Sequence, residues 1–163
     1  MLLALCPSFS CGGGASSSGE PLSPAQARSV CDASCAHAVT CGWQTSAATC
    51  SAGCVAQSNL FRGDGFTAWG ECSAAAACAT ANAGEACYVE VGAHIDARSV
   101  HDDYVTRCTA AMSSCTGFPS RVCERLQVIL FSDSYLSGQV LPCFALACTP
   151  LVACLEAKVL DAF

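Results

Sequence analysis

The sequence predicts an all-α, disulfide-rich fold of tandem helical hairpins, arranged as two units of about four short helices each. Three observations carry this expectation. Cys31-Asp-Ala-Ser-Cys35 and Cys50-Ser-Ala-Gly-Cys54 each place two cysteines one helical turn apart, so both sulfurs of a pair face the same way. Between them, Cys41-Gly42-Trp43-Gln44-Thr45 reads as a helix stop followed by a helix start, which folds the two helices antiparallel. Sixteen cysteines in 163 residues is the density of a disulfide scaffold. The apolar content of 53% rests heavily on Ala and Cys. Ala-rich helices bury little area each, and small units of this kind need staples.

Taken in order, Ser23-Pro24-Ala25-Gln26 is a capping box with Pro at the first helical position, opening a helix from Pro24 to about Cys41 that Gly42 ends. Thr45 caps a second helix from about Ser46 to Gln57, and 58–64 is a loop. A third helix starts after Asp64 and carries Trp69, Cys72 and Cys78. Asn82-Ala83-Gly84-Glu85 is a second capping box, opening a short helix through Cys87 to about Val91, where Gly92 stops it. After a link over 92–98, Ser99 with Asp102 starts a fifth helix running to Cys115. A sixth begins near Pro119 and includes Cys123 and the apolar stretch from Leu126 to Phe131. Gly138 and Pro142 interrupt the start of a seventh, which includes Cys143 and ends near Cys148. Thr149-Pro150 caps the eighth, carrying Cys154 to about Leu160. No apolar run is long enough to span a bilayer.

The cysteines fall into two series that align as an internal repeat. Setting Cys35 on Cys108 also sets Cys41 on Cys115, Cys50 on Cys123, Cys72 on Cys143, Cys78 on Cys148 and Cys87 on Cys154, within a few residues. The repeat divides the chain into units over 23–92 and 93–163. Cys31 and Cys54 have no counterparts; Tyr104 and Gln127 stand in their places. A joint loss is what a bond between them implies, because an orphan thiol in an oxidising compartment is a liability. Helix direction then gives the pairing. In the first hairpin Cys31 meets Cys54 and Cys35 meets Cys50. Cys41 lies six residues beyond Cys35, about 120° round the axis, and so faces another neighbour, Cys78 at matching height. Cys72 is turned toward the fourth helix and meets Cys87. The repeat carries this to Cys108–Cys123, Cys115–Cys148 and Cys143–Cys154. The alternative, Cys41–Cys87 with Cys72–Cys78, uses the same cysteines but links sulfurs on different faces of one helix.

The twin hairpin from Cys31 to Cys54 resembles the α-hairpinins of plants and the small Tim chaperones of mitochondria. At the N-terminus, Met1-Leu2-Leu3-Ala4-Leu5 is apolar, Ser8-Phe9-Ser10 precedes Cys11, and a Gly/Ser-rich stretch follows. Residues 1–11 resemble a bacterial lipoprotein signal in which Cys11 takes lipid, and 12–22 a flexible tether. Such signals open with basic residues; none precedes this apolar run, as expected if the start lies further upstream. With Ala-rich helices behind it, the whole resembles the cysteine-rich predicted lipoproteins of myxobacteria. That resemblance implies export to the bacterial cell envelope, to the outer membrane, and a membrane partner through the lipid on Cys11. It implies no activity. The plant lipid-transfer fold needs adjacent cysteines and a Cys-x-Cys, and neither occurs.

Composition narrows the function classes. Net charge is −6 with a single lysine, Lys158, so no basic stripe exists to bind nucleic acid or an anionic membrane surface. There is no Cys-x-x-Cys, no Gly-x-Ser-x-Gly and no phosphate-binding glycine loop, and the expected protein is not an enzyme. Of the histidines, His37, His94 and His101, only His101-Asp102-Asp103 sets a base beside carboxylates, and at a helix start that reads as a solvated, dipole-favoured terminus. Trp43 and Trp69 read as core. No cofactor is expected. The expected role is a non-enzymatic binding or structural module of the envelope. The alternative is a Cu(I) store, a helical bundle whose inward Cys-x-x-x-Cys thiolates bind soft metal.

Overall fold

The computed structural model describes residues 19–80, 82–115, 118 and 120–160. The expected signal over 1–11, the Cys11 lipidation site, residues 12–18 of the tether and the expected helix start at Pro119 lie outside the described residues. Within them the chain is all-α: α1 (Pro24–Thr40), α2 (Ala47–Gln57), α3 (Gly63–Ala75), α4 (Ala83–His94), α5 (Ser99–Ser114), α6 (Asp133–Tyr135) and α7 (Cys148–Leu155), with short tighter or wider turns between and after them. Among the described residues no strand forms; Phe61 and Phe131 make an isolated antiparallel bridge.

The local rules that build α1 are simple. The Ser23 hydroxyl accepts the Gln26 N–H and the Gln26 side chain accepts the Ser23 N–H, closing both ends of a capping box. Gly42 ends the helix with φ +73, a left-handed conformation that a Cβ would strain. α2 starts one residue later than expected, because the Ser46 hydroxyl, not that of Thr45, accepts the Thr49 N–H.

Elsewhere tertiary contacts override local signals. α3 ends at Ala75, so Cys78 lies in a turn beyond it and not inside the helix. The His37 ring takes Ala76 O (2.7 Å) and Trp43 Nε1 takes Cys78 O (3.2 Å), occupying carbonyls beyond the helix end. Asn82 precedes α4 in the left-handed region with no side-chain cap, so the second capping box does not form. Gly92 does not stop α4, which runs on to His94. Its missing side chain instead makes room for Leu126 and Ile129, which a Cβ there would strike. At α5, Arg98 occupies the cap position in place of Ser99, and its N–H is taken by His101 Nδ1 (3.0 Å).

The expected sixth helix is replaced by two short 3-10 turns, Ser120–Cys123 and Arg125–Gln127, and a non-helical stretch over 128–131. Val128, Ile129, Leu130 and Phe131 are all buried. Four consecutive buried side chains do not fit the single stripe of a packed helix. The backbone there bonds across the molecule: Arg62 N–H donates to Leu130 O (2.9 Å) and Ser132 N–H to Leu60 O (2.8 Å). The next helical stretch begins at α6, widens through Leu136–Val140 and tightens through Leu141–Ala145, where Pro142 sits in the first turn. α7 begins at Cys148, ahead of the expected Thr149 cap.

Among the described residues every disulfide lies within one half of the chain, whereas the core is shared. One apolar cluster runs from Ala27 and Cys31 through Phe61 and Phe66 to Tyr104, Phe131, Leu136 and Val159. Rings from both halves form a row: Trp69 on Phe66, Phe66 on Phe61, Phe61 on Phe131 and Phe131 on Tyr135, with centroids 5.1 to 5.8 Å apart. Arg62, itself buried, pairs with Asp64 and donates to Asp96 O, tying α3 to the link before α5.

Candidate functional site: an aromatic cleft and a histidine-flanked disulfide

The structure joins Cys31 to Cys54 and Cys35 to Cys50 between α1 and α2, Cys41 to Cys78 at the far end of α1, and Cys72 to Cys87 between α3 and α4. In the second half it joins Cys108 to Cys123, Cys115 to Cys148 and Cys143 to Cys154. Where the second half lacks a staple, Tyr104 is fully buried, donates to Val122 O (2.6 Å) and sets its ring edge-on to Phe144. Burial pushes the Tyr104 phenol well above its ordinary value, so it acts only as a neutral donor.

The staples hold open a cleft of about 680 Å³ bounded by α2, α3, α4 and the turn at 126–130. Its floor is Phe61, Phe66 and Leu130, all buried. Trp69, Tyr88 and Leu126 form the walls, and the exposed rim carries Gln44, Gln57, Glu85 and Val89. The walls are fixed by their polar ends: Trp69 Nε1 donates to Gly84 O (3.0 Å) and Tyr88 Oη to Gln127 O (3.1 Å). Trp69 packs against the core, as expected, and also lines the cleft. The volume lies in the range of small-molecule sites, and the pattern of an apolar interior with few polar groups is theirs too. Sequence reasoning missed this site because its residues come from four separate segments. The one local signal was Phe66 and Trp69 at helical i, i+3 spacing.

A second cluster lies away from the cleft. His37 Nε2, Cys41 Sγ and Cys78 Sγ fall within 4.8 Å of one another, and His37 Nε2 is 3.4 Å from Cys41 Sγ. The two sulfurs are bonded to each other, so they offer no thiolate to a metal.

The expected His101 environment is corrected. His101 is fully buried, not solvated. Its Nδ1 accepts the Arg98 N–H and its Nε2 faces Phe131 O at 3.3 Å, so Nε2 carries the hydrogen. Burial holds its pKa below the ordinary value, keeping the ring neutral. Asp102 pairs with Arg125 and Asp103 with Arg107, and the three residues form no acid–base set. His94 bonds back to Glu90 O on its own helix.

No family model, curated protein or solved structure matches this chain. Seven disulfides place the protein in an oxidising, extracytoplasmic setting. Among the described residues no helix is long and apolar enough to cross a membrane.

Proposed function

We propose that the protein is a non-enzymatic binding module of the bacterial cell envelope, tethered by lipid on Cys11, whose cleft takes a small uncharged lipophilic molecule. The observation that carries this reading is the aromatic cleft held in a cross-linked frame. The Cys31–Cys54 and Cys72–Cys87 bonds tie down the helices on either side of it, so little ordering is required when a ligand enters. Glu85 is the single charged lining residue, which disfavours an anionic ligand. The pairing of all fourteen described cysteines supports a scaffold over a Cu(I) store, since a store needs thiolates.

The test is titration with the neutral dye Nile red. Binding should raise its emission and quench Trp69. Gly53 lines the cleft, sits on α2 and has open space at its Cβ, so Gly53→Phe sets a ring at the cleft from an unobstructed Cβ. That variant should lose binding by at least about tenfold while keeping its melting temperature. Equal binding by Gly53→Phe would reject the cleft. Mass spectrometry of the native protein should find acylated Cys11; an unmodified Cys11 would remove the anchor.

A further inference from the structure

We infer that Cys41–Cys78 is a thiol–disulfide exchange site, opened by a dithiol reductant that attacks Cys78, with His37 stabilising Cys41 as the leaving thiolate.

The Cys41–Cys78 bond is open to solvent. Of the seven disulfides among the described residues this is the one in which neither cysteine is buried: Cys41 is half-buried and Cys78 exposed. Each of the other six has at least one buried partner, namely Cys31, Cys35, Cys87, Cys108, Cys115 or Cys143. An attacking sulfur must approach along the S–S axis, and the exposed Cys78 in its turn beyond α3 is the end that admits one.

His37 carries a hydrogen beside this bond. Ala76 O, 2.7 Å from Nε2, can only accept, so Nε2 carries a hydrogen. The same atom lies 3.4 Å from Cys41 Sγ. When the S–S bond breaks, the new thiolate competes with Ala76 O for that one hydrogen, and as the charged acceptor it draws the hydrogen toward itself. Cys41 also follows the C-terminus of α1, whose dipole opposes a thiolate. The dipole is worth about two- to fivefold at an exposed end, whereas exchanging the neutral Ala76 acceptor for a charged one is worth about five- to tenfold, so the histidine prevails. The equivalent pair in the second half, Cys115–Cys148, shares the exposed cysteine but not the donor: Ala111 occupies the place of His37, and Cys115 is buried.

The balance is closed by the dithiol. Its thiolate bonds to Cys78 Sγ and the Cys78–Cys41 bond breaks, its electron pair leaving on Cys41 Sγ. The second thiol of the reductant, once deprotonated, attacks its own sulfur in the mixed disulfide and releases Cys78 as thiolate. The reductant leaves as a cyclic disulfide. The protein gains two electrons, and two protons from solvent when both thiolates protonate. Cys31–Cys54, Cys35–Cys50 and Cys72–Cys87 still hold the helices, so the fold survives the cycle.

Native protein is equilibrated with graded dithiothreitol, alkylated with iodoacetamide and peptide-mapped. Cys41 and Cys78 should be labelled together, at a dithiol concentration about tenfold below that needed for any other pair. In a time course at one dithiothreitol concentration, His37→Ala should slow their opening by about fivefold or more, and His37→Gln, which keeps an N–H donor, should recover part of the rate. The order of labelling in the unsubstituted protein decides the matter even if a variant fails to fold. Opening of Cys115–Cys148 or any other pair before Cys41–Cys78, or an unchanged rate in a folded His37→Ala protein, would overturn the assignment.

Discussion

At His101 a single side chain sets how stability responds to acid. The ring accepts from Arg98 and donates to Phe131, which only the neutral form can do. Its folded pKa lies below the ordinary 6.5, so the unfolded chain binds the proton first. The contribution is fully present above about pH 6.5 and is lost as pH falls below it, at no more than about 1.4 kcal/mol per pH unit. Urea unfolding of the oxidised protein at pH 7.5 and pH 5 should show that loss, and His101→Gln should flatten the part it causes while lowering stability at pH 7.5 by about 1–3 kcal/mol. Nothing local announced this role. The Phe131 carbonyl is thirty residues away, and beside Asp102 and Asp103 the histidine looked like part of a solvated helix start. Tyr104 was legible as the residue in place of Cys31, but its bond to Val122 O was not.

Among the elements, α1, α2 and α3 show how one chemical change can have opposite results. Gly53 and Gly70 are both helical, and Ala at either favours the helix by about 0.5–1 kcal/mol. Gly53 has open space at its Cβ, so Gly53→Ala should stabilise by about that amount. At Gly70 a Cβ would fall on Val30 Cγ1 where α3 crosses α1, and Val30 is β-branched and stiff. Gly70→Ala should therefore destabilise by about 1–3 kcal/mol in thermal or urea melts. The hairpin of α1 and α2 was the most legible element, because four residues make a turn and both sulfurs must face one neighbour. The second half was read less well. A continuous apolar run looks the same whether it will be a helix or a buried extended turn, and here cross-chain hydrogen bonds at Leu60 and Leu130 decide it. Replacing both Cys31 and Cys54 with Ala should cost about 3 kcal/mol, leaving α1 and α2 paired through Cys35–Cys50.

For the molecule as a whole, the cross-links belong to the halves and the core to both. Oxidised protein should unfold in one transition, and Phe131→Ala, which removes the ring beneath Phe61 and Tyr135, should cost about 3–5 kcal/mol and destabilise both halves together. Full reduction should act unequally. Among the described residues the first half has four staples and the second three, while most of the largest fully buried side chains, Tyr104, Leu130, Phe131, Leu136 and Leu155 among them, lie in the second. Hydrogen exchange after reduction should rise first in α1 to α4. Equal or reversed loss would show that the shared core, not the staples, sets local stability.

The bridge at Phe61 and Phe131 reads the same from either side: each phenylalanine follows a leucine that accepts, and precedes a residue that donates. A contact that maps onto itself when its two members are exchanged has the form of a two-fold homodimer interface. The two halves of this one chain thus meet at the bridge as the two copies of a symmetric dimer would, with backbone donor facing backbone acceptor in both directions.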